Sequence, residues 1–361
     1  MEVYWILIVL TVLLGAVLPQ KGKNRSIYIL LMALLLTLVS ALRHNHMAGD
    51  LKKYHWEFLC SGQYGWIDPQ LLQRGRNAGF YLLLKLVHFL TGGSFQLLLI
   101  LIAAAVQFSL AALIWRFSPM PRMSYLIYLC MGFFSFGLIA IKQALAMAFV
   151  LLSFIGIADR RPGFFLGTVF LAALIHIPAL CILPAYVLSQ LRLSGKALLG
   201  YGVTAVALYL LKDHFAALIS TIYYQNTQTL IYSGGLGNRF WMLLVLALLP
   251  LVLQGVSQEL VPLLFPFMAL AVLAQMLSGF DNIFTRMADY YFQLSVLYIP
   301  LIFYGKSPRE HPSPAGLLLL NRRSLHLAEN CLCVFLIWFY HTYYLKAAGF
   351  EPYRFFWESP L

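Results

Sequence analysis

The sequence predicts an all-α, polytopic transmembrane helical bundle of about 10–13 spans, and three observations carry that prediction. Of 361 residues, 61% are hydrophobic and 11% are charged, against roughly 45–50% and about 25% in soluble domains. The apolar excess runs through the whole chain and is not gathered in one anchor. It is also divided into separate runs, many close to the roughly 20 residues a helix needs to cross the hydrocarbon core. One transmembrane domain over 1–361 is expected, with no separate soluble domain.

The apolar runs, in order, are 4–19, 27–42, 95–116, 125–140, 143–158, 164–176, 177–190, 199–212, 240–256, 260–279, 289–304 and 327–346. Several fall short of about 17 residues and read as half-helices that dip into the membrane and return. The short run 79–91, followed by Gly92-Gly93, reads as interfacial or re-entrant. If it spans, the downstream topology inverts. The first run has neither a basic lead-in nor a small-residue cleavage site, so a retained helix is expected there and not a signal peptide.

The net charge of +12 would suggest nucleic acid in a soluble protein. In a membrane chain, Lys and Arg first serve to hold cytoplasmic loops, and no nucleic-acid partner is expected. A sharper reading gives some of these cations to an anionic lipid substrate. Placing Lys21, Lys23 and Arg25 in the cytoplasm puts Arg122, Arg160, Arg161, Arg192 and Lys196 on the same side. A basic cytoplasmic loop over roughly 305–326, with Lys306, Arg309, Arg322 and Arg323, joins them. The outer side then receives loops at roughly 43–94 and 213–239, the 140–143 and 176–178 turns, 280–288 and both termini.

The five cysteines, at 60, 130, 181, 331 and 333, suggest packing and no disulfide framework. Cys331 and Cys333 are two apart in a helix and do not face each other, so they make no metal site. No metal and no cofactor are expected. No tandem or inverted repeat is visible, which weighs against a transporter.

Charges near membrane depth are costly unless paired or hydrated, so they mark candidate sites. Arg43 and Asp50 flank the end of the second run and precede Tyr54, Trp56, Phe58, Tyr64 and Trp66. They form either the mouth of a cavity or an interfacial loop with an aromatic belt. His44, His46 and His55 lack a strong ligand spacing. Lys142 and Gln143 form a polar break between two apolar runs, either a solvated turn or, with Ala144, Ala146 and Ala148 following, the start of a helix packed inside a bundle. His176 lies in an apolar stretch beside Pro178. It is either a satisfied core residue or a group for proton transfer and hydrogen bonding to sugar or phosphate. Gly234-Gly235-Leu236-Gly237-Asn238-Arg239 does not match a phosphate-cradling fingerprint. Arg286 and Tyr290, at i and i+4, share a face if helical, and Arg suits bidentate phosphate contact. Asp281, Arg286 and Asp289 read equally as a local ion-pair network. In this layout Arg43, Asp50, Lys142, His176, Arg239 and Arg286 all fall on the outer side.

At these residues the chain resembles the EpsG-type branch of the Wzy-like polysaccharide polymerases, over roughly 1–305. The resemblance rests on Arg43 with Ala48-Gly49-Asp50 and Tyr54, on Asn77-Ala78-Gly79-Phe80, and on Lys142-Gln143-Ala144-Leu145-Ala146. It continues through His176-Ile177-Pro178-Ala179-Leu180 and through Arg286 with Tyr290. Three positions depart from the family pattern: Gly49 replaces a Thr, Asn77 replaces an acidic residue, and Lys142 stands where Arg is expected. Asn77 therefore supplies no carboxylate, and Lys142 keeps the charge without the bidentate fork.

The resemblance implies a multi-pass protein of the bacterial cytoplasmic (inner) membrane, similar to the multi-span GT-C-like glycosyltransferases. It implies an exopolysaccharide, capsule or O-antigen repeat-unit polymerase that moves a glycan from an undecaprenyl-pyrophosphate carrier to a lipid-linked acceptor sugar at the outer face. Fixed cations would stabilise the pyrophosphate leaving group, a task given to Arg43, Lys142, Arg239 and Arg286. His176 or Asp50 would serve the acceptor hydroxyl, and Tyr54, Gln143 and Tyr290 would orient the sugar. Flippase and chain-length regulator proteins are implied partners. The alternatives are an O-antigen ligase, a membrane acyltransferase using His176, or a non-enzymatic transporter or flippase of lipid-linked sugars.

Overall fold

The computed structural model describes residues 2–45, 49–63, 65–66, 77–224, 236–253, 259–304, 322–345 and 353–358. His46, Ala48, Tyr64, Gly234, Gly235, Lys306 and Arg309 lie outside the described residues. Regular structure among the described residues is helical, apart from one isolated antiparallel bridge between Arg43 and Phe355. Two compact units are present. One comprises Met1–Gly156, Gly163–Leu180 and Arg322–Leu361, and the other Ile157–Pro162 and Cys181–Asn321.

In the first unit, α1 (Glu2–Val17) and α2 (Gly22–Ala41) are followed by α3 (Gly49–Ser61), α4 (Ala78–Thr91) and α5 (Phe95–Phe117). Next come α6 (Pro121–Cys130), α7 (Phe133–Ile139), α8 (Ile141–Ala158) and α9 (Pro162–Ile175). Among the described residues, three helices, α2, α5 and α8, are long and apolar enough to cross a membrane. The α6–α7 pair, bent by 53°, makes a fourth candidate. Further apolar helices are 10–17 residues long. The fold is thus all-α and polytopic, as the composition predicts.

The helices pack by recognisable stripes. Tyr28, Met32 and Leu36 of α2 are all fully buried and recur every fourth residue, which is one face of a helix. α2 packs on α5, α1 and α6, and its Tyr28 ring meets Tyr125 of α6 edge to face at 6.0 Å. Both ends of α2 are tied by side chains. At its basic start, the Arg25 guanidinium donates to the carbonyls of Ile114 (3.1 Å), Trp115 (2.7 Å) and Ser118 (3.0 Å), capping the end of α5. The apolar run 125–140 breaks at Gly132, whose φ of +79° is the left-handed conformation that glycine adopts at no steric cost.

The outer loop expected at 43–94 contains two helices, α3 and α4, packed on each other. At the end of α9, Pro178 has no N–H to give the Leu174 carbonyl four residues back. The chain continues there as a 3₁₀ turn, Ile177–Ile182.

The second unit comprises α10 (Leu183–Gln190), α11 (Gly195–Leu210), α12 (Lys212–Tyr224), α13 (Asn238–Val252), α14 (Val261–Met276), α15 (Asn282–Phe292) and α16 (Ser295–Tyr304). α14 is apolar on every side and touches α10, α11, α13, α15 and α16. A helix without a polar face belongs in the middle of its neighbours. Asp281 caps α15 by accepting from the Ile283 N–H at 2.7 Å. The last helix, α17 (Arg322–Phe339), returns to the first unit and ends in a π-helical turn, Tyr340–Leu345.

Candidate functional site

In the first unit, two of the sequence candidates, Lys142 and Tyr54, meet Phe80 in the first turn of α4. Lys142 and Gln143 lie in the first turn of α8, after a break at Ala140. They are therefore helical, which separates them from a simple solvated turn. The Lys142 ammonium stands 5.8 Å from the centre of the Tyr54 ring and 6.0 Å from that of Phe80. Tyr54 and Phe80 meet edge to face at 5.6 Å. A cation within about 6 Å of an aromatic face is attracted by the ring quadrupole. Here α3 and α4 each supply one ring to the cation of α8. Gln143 beside it is buried.

His176 is buried at the end of α9, its backbone N–H donating to the Ala172 carbonyl at 2.8 Å. Its helix is held against α4 by Gly79. A Cβ there would lie 2.7 Å from the Leu174 Cβ and 2.8 Å from the Leu174 carbonyl oxygen. Only glycine permits that approach. Lys142 thus meets the first turn of α4 through Phe80, and Leu174, two residues before His176, meets it at Gly79.

Asp50 is exposed in the first turn of α3, where a carboxylate complements the helix dipole. It lies one turn before Tyr54 on the same helix. Asn45 Nδ2 and His55 Nδ1 are 3.4 Å apart, and the His55 ring packs on Phe95. Among the described residues, no three His, Cys, Asp or Glu side chains gather in a way that could hold a metal ion.

Arg43 has different surroundings. It is 1% exposed, and its guanidinium donates to the Ser40 carbonyl and to Ser40 Oγ. The neighbouring carbonyls of α2 are satisfied as well. Leu38 accepts from Leu42 N, Val39 from Tyr353 Oη at 2.5 Å, and Ala41 from the Gln96 amide. The segment 353–358 also pairs through His44 N to Arg354 O at 2.8 Å and Phe356 N to Leu42 O at 2.9 Å. The last carbonyls of a helix lack intrahelical partners, and Arg43 is one of the groups that satisfy them. Burial lowers its basicity to about 10, partly offset by Tyr353 and Tyr4, so it remains cationic at neutral pH.

Arg239, Arg286 and Tyr290 belong to the second unit. Arg239 forms an ion pair with Asp289 and lies 5.8 Å from the Phe292 ring centre. Tyr290 is fully buried within its unit, whereas Arg286 on the same helix is half-buried.

Sequence reasoning passes over a polar seam between α3 and α4. Tyr81 Oη donates to Glu57 at 3.4 Å, and buried Lys85 donates to the Ser61 carbonyl at 3.4 Å while lying 5.1 Å from the Trp66 ring centre. The His88 ring packs on Phe58. The available signal was Tyr81, Lys85 and His88 at i, i+4 and i+7, one helical face inside an apolar run.

A family model described as the EpsG family matches residues 26–355, nearly the whole chain. No curated protein and no solved structure matches. The chain belongs to the EpsG family, and that membership points to a membrane polysaccharide polymerase, a glycosyltransferase-like enzyme.

Proposed function

We propose that this member of the EpsG family transfers a growing glycan from an undecaprenyl-pyrophosphate carrier to the terminal sugar of a second lipid-linked repeat unit. The observation that carries the reading is the placement of Lys142 over Tyr54 and Phe80. Three helices join there, and each carries one of the short motifs by which the chain resembles its family. A pyrophosphate leaving group develops negative charge as its bond to the sugar breaks. A cation already fixed at that point stabilises the transition state without reorganising. Lys142 fills this role. Aromatic faces beside it suit the apolar faces of a sugar ring, which assigns Tyr54 and Phe80 to orientation, with Gln143 as a neighbouring hydrogen-bonding group.

His176 and Asp50 remain the groups proposed for the acceptor hydroxyl. His176 lies two residues after Leu174, which meets the same turn of α4, while Asp50 is the exposed carboxylate of α3. Arg43 is better described as a positioning residue, since its guanidinium is occupied by the end of α2. Arg239 is engaged by Asp289, and Arg286 is kept as an anion contact of the second unit. The reaction is placed at the outer face of the bacterial inner membrane, where a flippase would deliver the substrate and a chain-length regulator would limit the product.

Purified protein supplied with a labelled lipid-linked repeat unit tests this reading. A ladder of longer lipid-linked products supports the polymerase. Transfer only to a different acceptor would make it a ligase, and movement of intact substrate across vesicles would make it a transporter.

A further inference from the structure

The second unit carries a groove of about 350 Å³ between α10, α11 and α14. Its walls are mostly apolar, with Gly200 and Thr204 on α11 facing the stretch from Pro262 to Leu273 on α14. The Thr204 hydroxyl donates to the Gly200 carbonyl at 2.8 Å, so its polarity is used within its own helix.

One end of this groove is basic. Arg192, in the short turn between α10 and α11, is itself a lining residue and is exposed. Ser189 Oγ donates to the Leu263 carbonyl at 2.7 Å, which sets the end of α10 beside the start of α14. Arg192 therefore stands at the end where α11 and α14 both begin. Lys196, also exposed, precedes Gly200 by one turn on the same side of α11. Gln190 Nε2 lies 3.5 Å from the Ile157 carbonyl oxygen, which brings the turn with Arg160 and Arg161 to this end. The segments 157–162 and 191–197 hold four cations and one carboxylate, Asp159.

The other end is closed by leucines. From Pro262 to Leu273 the groove follows α14 for about 16 Å at 1.5 Å per residue. That is close to half the roughly 30 Å of a hydrocarbon core, or one leaflet. The sequence layout assigns Arg160, Arg161, Arg192 and Lys196 to the cytoplasmic side, where anionic headgroups attract basic segments.

We propose that this groove binds an anionic, two-chain glycerophospholipid of the cytoplasmic leaflet, with its phosphate at Arg192 and Lys196 and one acyl chain along α14. The second chain lies over the outer face of α11, where Leu199 and Val203 are 68% and 59% exposed and no residue of the helix is buried. Lipid tails are as apolar as leucine, so the walls gain little by exchanging one chain for another. Selection comes from the head. Two cations favour a net negative headgroup over a zwitterionic one, whose own ammonium meets like charge. A polyprenyl chain much longer than one leaflet overruns the groove. The site is thus separate from the donor lipid of the preceding section, and it stands whether or not that reading does.

The test is lipid retention by the full chain, purified in neutral detergent, given equal amounts of phosphatidylglycerol and phosphatidylcholine, and read by native mass spectrometry. Wild type is expected to retain phosphatidylglycerol about tenfold over phosphatidylcholine. Arg192→Gln with Lys196→Gln, both at exposed positions, is expected to lose that preference. Lys21→Gln with Lys23→Gln removes the same charge from another exposed basic loop and should keep it. Gly200→Trp fills the groove and should lower retention. Gly202→Trp, on the opposite side of α11 with open space around the glycine, should not. Four results overturn the proposal: equal retention of the two lipids by wild type, equal loss in the two double variants, wild-type retention by Gly200→Trp, or displacement of phosphatidylglycerol by equimolar undecaprenyl phosphate.

Discussion

The backbone of Gly79 rests against the carbonyl of Leu174, so closely that no Cβ fits between them. This contact joins α4 to α9 and links the Lys142 cluster to the helix end that carries His176. Gly79→Ala must push the two backbones apart. Overpacking of this kind costs about 1–3 kcal/mol. Thermal unfolding in detergent should show that loss, and the variant should lose activity beyond what its remaining folded fraction explains.

Arg43 provides a second test, because its proposed role is structural. Arg43→Met leaves the Ser40 carbonyl without its guanidinium, and an unsatisfied buried group costs about 1–3 kcal/mol. Tyr353→Phe removes one hydrogen bond to Val39 and should cost about 0.5–1.5 kcal/mol. Both variants are expected to melt earlier yet bind undecaprenyl phosphate like wild type. Loss of binding without loss of stability would return Arg43 to the anion site.

The pH dependence of Arg43 follows from burial. Its folded value, about 10, lies below the ordinary 12.5. Between those values the unfolded chain binds the extra proton, so stability rises with pH only in that window. The stability difference between wild type and Arg43→Met should be flat from about pH 6 to 9. It should then shift toward wild type as the pH passes about 10, which unfolding scans at fixed ionic strength would show.

In the second unit, Asp289 and Arg239 should behave as a coupled pair. A double-mutant cycle with Asp289→Asn and Arg239→Gln should give a coupling energy of about 0.5–3 kcal/mol. Partial exposure of both side chains (30% and 14%) places the value near the lower end. A coupling indistinguishable from zero would show that the pair does not organise α13 against α15.

The fold was largely legible because separate apolar runs recur along the whole chain, although several are shorter than a membrane-crossing helix and the described helices there have only 10–17 residues. The break at Gly132 was hidden, since the residues on both sides are equally apolar. Helix α3 was hidden inside an expected loop because charged and polar residues interrupt its apolar positions, whereas α4 coincides with the short apolar run 79–91 that reads as interfacial or re-entrant. At the site, Lys142 stood out as a charge between apolar runs. Its ring partners Tyr54 and Phe80 come from other helices, and no local spacing reveals such a meeting. Arg43 shows the limit most clearly. A charge near membrane depth looks the same whether it caps a helix or binds an anion. What separates the two is a pairing segment whose Tyr353 is 314 residues from Val39, a separation no local pattern encodes.

The most direct measurement of the central claim is the rate of repeat-unit polymerisation by Lys142→Arg and Lys142→Met beside wild type, each confirmed as folded. Loss of one fixed group that stabilises a developing charge lowers turnover by about 10²–10³. The account predicts that loss for Lys142→Met and substantial activity for Lys142→Arg, which keeps the cation over Tyr54 and Phe80. Turnover by Lys142→Met equal to that of wild type would contradict it.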